Sequence, residues 1–351
     1  MRRVRLSLHR IMFSMSKISP QFKLTILLFL LIAMIFISFL LGRFPISASD
    51  VFAVFGSWMG FVPETRSTSH VVMELRLPRI IGAVLVGAAL SVSGAAYQVM
   101  FRNPMVSPAI LGVSAGAAFG AAVAILLSIP AFFVHTMTFV GGLCSVAITY
   151  VIGTKLCRGG NTTLAIILSG IIVSTLFTSL LSMIKYVADP YDKLPVIVYW
   201  LMGSLASISL DSLFFPLIFI GAAFIPLFLL RWRINLLSFG DEEAQTLGIP
   251  VERLRLIVIL CATLLTAAAV SLSGIIGLVG LIVPHLVRFI VGPDFRFLLP
   301  GSALMGGLFL LASDNLARTL WTMEIPLGIL TSLFGVPFFL YLLIKYHHGW
   351  D

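Results

Sequence analysis

Residues 24–41 are eighteen consecutive positions without a charge, and comparable apolar runs recur along the chain. A run of about 20 predominantly apolar residues is long enough for a helix to span a bilayer. Such runs dominate the composition: 59% of the 351 residues are hydrophobic and 11% are charged. Average soluble domains carry about 25% charged residues. A chain this apolar cannot cover a water-facing surface with polar groups, which excludes a soluble enzyme. Disorder is excluded too, because it requires low hydrophobicity. The remaining class is a polytopic, all-helical membrane protein.

Further apolar runs lie at residues 79–101, 108–128, 131–152, 163–185, 212–230, 254–272, 274–292, 298–317 and 325–344, making ten expected spans. The first run is longer than the 7–15-residue core of a signal peptide, so a retained helix is expected there. Residues 195–207 are apolar but too short to cross, which predicts a re-entrant or interfacial helix. Residues 49–58 follow the cap-type residues Ser47, Ser49 and Asp50 and predict a short helix lying on the surface.

The net charge of +9 would suggest nucleic acid in a soluble protein; here it reports topology. With ten spans and a cytoplasmic N-terminus, sixteen Lys and Arg residues fall in cytoplasmic segments and seven outside. This is the bias of the positive-inside rule. Both termini are then expected in the cytoplasm.

Gly112, Gly116 and Gly120 recur at every fourth position, and Gly82, Gly87 and Gly94 punctuate the second span. Small residues at such spacing let helices approach closely in lipid. Pro284 lies inside its span and predicts a kink or a freed carbonyl. Residues 89–94 (ALSVSG) resemble 269–274 (AVSLSG), each followed ten residues after the glycine by a proline, which hints at an internal repeat.

Signs of catalysis are few. No glycine is followed by lysine, so a P-loop is absent. The GxSxG string at residues 112–116 opens an apolar helix without a preceding strand and lacks the context of a nucleophile elbow. There is no HExxH. Cys144, Cys157 and Cys261 are far apart and form no CxxC, and the histidines are scattered apart from His347 and His348. A metal site and a disulfide framework are not expected. Asp314 lies near a span end with Arg318 four residues on, a spacing at which the two can neutralise one another. His285, beside Pro284, is expected to be a packing residue.

The longest predicted cytoplasmic segment, residues 231–255, contains acids at 241–243, then Gly248 and Pro250. Acids favour a helix start and the glycine and proline a stop. A short helix with Ala244 and Leu247 on one apolar face is expected. It suits either docking into a partner's cleft or service as a solvated connection.

Four motifs carry a resemblance. They are Leu75-Arg76-Leu77-Pro78-Arg79, Arg102-Asn103-Pro104 with Leu111-Gly112-Val113-Ser114, Gly280-Leu281-Ile282-Val283-Pro284-His285-Leu286-Val287-Arg288, and Asp314-Asn315-Leu316-Ala317-Arg318 followed by Glu324-Ile325-Pro326-Leu327-Gly328. In this order the chain resembles the FecCD-type permease subunits of ABC importers for ferric siderophores, haem and vitamin B12. The resemblance implies a second permease copy, two cytoplasmic ATP-binding subunits and an extracytoplasmic binding protein. It also implies no cofactor on this chain, ATP and Mg binding instead to the partner ATPase. Residues 1–23 would be a basic cytoplasmic N-terminus, 24–345 the transmembrane permease domain, and 346–351 a cytoplasmic tail. Within the 231–255 coupling segment, Gly240, Ala244, Leu247 and Gly248 match the positions that meet the ATPase. Arg76, Arg79 and Arg318 match arginines that engage acidic residues of the binding protein, and are expected as exposed guanidiniums on the outer face. The implied cargo is a metal chelate, ferric siderophore first, then haem or cobalamin; an oxyanion such as molybdate also fits relatives of this architecture. An ion-gradient-driven carrier is the alternative; it would lean on Asp314.

Overall fold

Hydrocarbon offers the backbone no hydrogen-bonding partner, so a spanning segment must satisfy its amides internally. The described residues accordingly form helices and no strand. The computed structural model describes residues 19–58, 66–156 and 162–346. Most of the basic N-terminal segment, Cys157, Arg158 and the His347–His348 tail lie outside them.

Helix α1 (Pro20–Leu40) begins at Ser19, whose hydroxyl accepts a hydrogen bond from the Phe22 amide at 3.3 Å. The short α2 (Ala48–Trp58) follows where a surface helix is expected. A helical turn (Arg66–His70) and a π-helix (Val71–Arg76) lead without a break into α3 (Leu77–Met100). Then come α4 (Val113–Leu126), α5 (Ala131–Leu156), α6 (Thr162–Val187), the short α7 (Lys193–Leu201) and α8 (Leu210–Leu229). After a turn Arg231–Leu236 the chain forms α9 (Asp241–Thr246), α10 (Val251–Ser273), α11 (Val279–Val291), α12 (Phe295–Thr319) and α13 (Leu327–Tyr346).

Among the described residues seven helices are long and apolar enough to cross a membrane. Three shorter apolar helices, Val113–Leu126, Val279–Val291 and Leu327–Leu340, stand where three of the ten expected spans were placed. Helix α7 occupies the stretch expected to be re-entrant.

Helices α3 and α10 form the centre, with most of their residues buried. Their contact is partly polar. The Ser93 hydroxyl donates to the Ala262 carbonyl at 2.9 Å and lies 2.7 Å from Thr266 Oγ1, while Tyr97 Oη lies 3.1 Å from Thr263 Oγ1. Such interhelical bonds act as glue where lipid supplies no partner.

Glycines set the closest crossings. A Cβ on Gly87 would lie 2.2 Å from the Gly306 carbonyl oxygen, and one on Gly306 2.3 Å from that of Gly87. Gly116 and Gly141 stand in the same reciprocal relation between α4 and α5. At Gly94 the constraint has a traceable cause. Pro284 has no amide, so the Gly280 carbonyl four residues earlier loses its helical donor. That oxygen packs onto Gly94, where a Cβ would sit only 1.7 Å away. The adjacent Leu281 carbonyl accepts from Gln98 Nε2 at 3.2 Å.

Two runs of four helices have a similar order of lengths. Helices α3 to α6 have 24, 14, 26 and 26 residues; α10 to α13 have 23, 13, 25 and 20. The short similarity between residues 89–94 and 269–274 does not mark equivalent places, however. Gly94 lies inside α3, whereas Gly274 ends α10 with φ +67° against the Trp200 carbonyl.

Gly94→Val should therefore destabilise the protein by roughly 1–3 kcal/mol or more through overpacking. Gly221→Ala, where no atom lies within 4 Å of the added methyl, should leave the thermal midpoint unchanged or slightly raised. Thermal unfolding in detergent compares the two.

Candidate functional site

Two ends of the helix bundle carry the residues singled out by the motifs. At one end, the start of α3 meets the last turns of α12 and α1. Asp314, completely buried, accepts from Arg79 Nε at 3.0 Å and from Arg79 Nη2 at 2.9 Å. Arg318 Nε lies 3.2 Å from the other Asp314 oxygen. The expected i,i+4 pair is thus one limb of a larger cluster. Glu324, in the loop after α12, takes the remaining edge of Arg79: Nη1 donates to Oε1 at 2.9 Å and Nη2 lies 2.9 Å from Oε2.

Arg76 and Arg318 also serve the end of α1. Arg76 donates to the Phe39 and Phe44 carbonyls, and Arg318 Nη1 to the Leu41 carbonyl at 3.4 Å. Phe39 and Leu41 lie at the helix terminus, which has no intrahelical donors left and attracts cations, and Phe44 lies in the bend just beyond it. Asn315 completes the seam, donating to Ser38 Oγ at 2.6 Å and accepting from Arg318.

The exposed guanidiniums expected at Arg76, Arg79 and Arg318 are therefore corrected. The three residues are 4%, 9% and 7% exposed, because a buried carboxylate and the open end of α1 already use their donors. Leu320, Trp321 and Met323 in the neighbouring loop are strongly exposed.

The opposite end holds the segment after α8. Its turn is fixed to the bundle: Asn235 Oδ1 accepts from the Phe295 amide at 2.9 Å, and Ile234 and Leu237 are buried. Asp294, which caps α12, is held below the usual carboxylate range by its hydrogen bonds with Arg296. Gly240 then takes φ +129°, a backbone conformation disfavoured for other residues. A Cβ there would meet Glu243 Oε2 at 2.1 Å and lie 3.4 Å from Arg102 Nη1.

Helix α9 follows, with Leu247 as its C-terminal cap and Gly248 at φ +78° ending it. Acids, glycine and proline thus delimit the element as expected. Its apolar face does not. Ala244 is fully buried whereas Leu247 is 61% exposed, so the two do not form one outward ridge. Ala244 is drawn inward because α9 is lashed to α10: Arg255 Nη2 lies 2.6 Å from Asp241 Oδ2, and Nη1 lies 2.8 Å from Glu252 Oε1. The outward apolar side chains here are Phe239 and Leu247.

Sequence reasoning missed Glu324, Arg255 and Phe239 as members of these sites. Phe239 offered a signal, being a large apolar residue beside a glycine in a polar segment. Glu324 and Arg255 are placed by partners 245 and 14 positions away in the chain, which spacing cannot reveal.

The comparison with known proteins now has a structural frame. Residues 30–345 match the FecCD transport family. The chain belongs to that family. Its relatives include a molybdate import system permease of Haemophilus influenzae, 39% identical over 91% of this chain and 94% of that protein. A probable iron chelatin transport system permease of Helicobacter pylori is 42% identical over 80% of this chain and 85% of its own length. Other relatives are described as haem and cobalamin permeases. Among solved structures, one described as an inward-facing conformation of a metal-chelate type ABC transporter superposes with a TM-score of 0.81 at 38% identity. That match covers 92% of this chain and 98% of the other.

The buried carboxylate sets a stability expectation. Asp314→Asn leaves Arg79 and Arg318 without their shared counter-charge and should cost about 3–5 kcal/mol. Glu324→Gln, at the partly exposed edge, should cost no more than about 1 kcal/mol. Thermal unfolding of both variants in nanodiscs tests the contrast.

Proposed function

We propose that this chain is the membrane-spanning permease subunit of a binding-protein-dependent ABC importer in the prokaryotic cell inner membrane. The observation carrying this reading is that nearly the whole chain shares the family's sequence and the fold of a solved metal-chelate type transporter. Its cargo is a metal chelate. Ferric siderophore is the first substrate to test, followed by haem and cobalamin and by the oxyanion molybdate, the cargoes named for relatives.

In this reading ten helices cross the membrane, both termini are cytoplasmic, and the end bearing residues 231–255 faces the cytoplasm. Arg102, Arg231, Arg233, Arg253, Arg255, Arg288 and Arg296 belong to the cytoplasmic segments, in line with the positive-inside rule. With four crossings, an even number, between α3 and α10, the two four-helix units run in opposite senses and form an inverted repeat, as in many transporters.

Two copies of the chain pair, and the cargo crosses between them. Helix α6 supplies a suitable wall. Thr175, Thr178, Ser179 and Ser182 are exposed on it, and each donates its hydroxyl hydrogen to the carbonyl four residues earlier. The oxygen lone pairs stay free to line a path without binding strongly. A groove of about 350 Å³ runs along this face.

Two ATP-binding subunits dock at α9, where Gly240, Ala244 and Gly248 shape the element and Leu247 and Phe239 contact the partner. The Arg255 tie to Asp241 passes movement of α9 to the central α10. The binding protein docks at the other end, near Arg76, Arg79 and Arg318. The rival ion-coupled carrier needs a titratable group free to load an ion within the membrane. Asp314 is held by two arginines, which supports the ATP-driven reading.

Leu247→Asp should reduce co-purification of the ATP-binding subunit at least tenfold, while thermal stability of the permease changes by no more than about 0.5 kcal/mol, as for exposed positions. Undiminished co-purification would remove α9 as the docking element.

A further inference from the structure

The Arg79 guanidinium is fully occupied inside this chain. Nε and Nη2 face Asp314, and Nη1 and Nη2 face Glu324. A planar guanidinium binds a carboxylate best through two parallel donors. No such edge is left for an incoming acid.

The two resident carboxylates differ in how firmly they are held. Asp314 has no exposed side-chain surface, sits within α12 and is shared with Arg318. The Glu324 side chain keeps 29% of its surface exposed, and its bond with Arg79 is the outermost in the cluster. It belongs to a loop whose neighbours Trp321 and Met323 are 71% and 77% exposed. Removing Asp314 would leave two buried cations unbalanced, whereas Glu324 can rotate towards water. Glu324 is therefore the exchangeable partner.

We infer that Glu324 is an internal stand-in for the docking carboxylate, so that an acidic partner engages Arg79 by displacing it. The inference rests on the docking end proposed above. Glu324 then sets the affinity of docking, because only the fraction of molecules with Glu324 swung away can bind.

The exchange also has a route inward. The loop joins the chain's backbone junction just beyond Glu324, where the Leu327 amide donates to the Gly203 carbonyl at 2.9 Å and the Gly328 amide to that of Met202 at 3.0 Å. The Ser204 amide in turn donates to the Ser273 carbonyl at 2.8 Å. Residues at the ends of α7 and α10 and at the start of α13 thus meet backbone to backbone. Freeing Glu324 releases a side-chain restraint on the segment that enters this junction.

The test is binding of the cargo-loaded binding protein that supports uptake with this permease. The assembled transporter is held in nanodiscs at about 0.15 M salt, where long-range charge effects are damped. Glu324→Gln should tighten binding about tenfold, as expected if roughly one molecule in ten is open in the wild type. Thr322→Lys makes the same change in net charge two residues away at an exposed site, and should tighten binding no more than about twofold to threefold, a rim-charge effect. Met323→Glu places an acid on the exposed loop and should weaken binding.

Unchanged affinity of Met323→Glu would show that the partner docks elsewhere and would remove the docking reading itself. Weakening by Met323→Glu with unchanged or weakened binding by Glu324→Gln would keep the docking end and overturn the exchange. Equal tightening by Glu324→Gln and Thr322→Lys would also overturn it, since charge alone would then explain the gain.

Discussion

Asp314 places a carboxylate where no water reaches it, among helices built to sit in hydrocarbon. Such a group is tolerated only when countercharge and hydrogen bonds satisfy it. Arg79 on α3 and Arg318 on its own helix do so, and the arginines bring further obligations. Arg318 and its neighbour Asn315 reach the end of α1, and Arg79 reaches Glu324. Meeting the needs of one buried charge thus joins α1, α3, α12 and the loop leading to α13. The same demand for satisfaction explains the hydroxyl contacts between α3 and α10, and the serines and threonines that bond back to their own helices.

In the proposed function the two ends of the molecule use different chemistry for different partners. At the α9 end an ion-paired anchor holds a very short helix whose outward surface is apolar. This suits a partner that grips by shape and burial. The other end presents apolar side chains around a closed ionic cluster, which suits a partner that trades one carboxylate for another. Between them the central helices are packed glycine to backbone, as at Gly94 and Gly280, so a displacement at either end meets little slack.

Much of this was legible in the sequence because the bilayer imposes length and apolarity on each span. The ten runs located the helices, although α4 and α11 are shorter than a typical crossing. Gly87, Gly94, Gly116 and Gly120 signalled close approach through their spacing. Gly248 and Pro250 marked the end of α9. What remained hidden depended on tertiary partners. Arg76, Arg79 and Arg318 match arginines that the family resemblance implies are exposed for a partner, yet their guanidiniums fold onto carbonyls and a carboxylate within the bundle. The inward turn of Ala244 depends likewise on Arg255 pulling α9 against α10. Glu324 stood in a motif but carried no sign of its pairing with Arg79, a residue 245 positions away.

In the proposed function this chain is a passive path whose movement is driven by a separate ATP-hydrolysing subunit. The most direct measurement is cargo accumulation against a gradient in proteoliposomes, with the purified chain alone and with its ATP-binding subunit, binding protein and ATP. Uphill accumulation is expected only in the complete mixture, and none when ATP or the ATP-binding subunit is withheld. Uphill accumulation by the chain alone, driven by an imposed ion gradient, would contradict it.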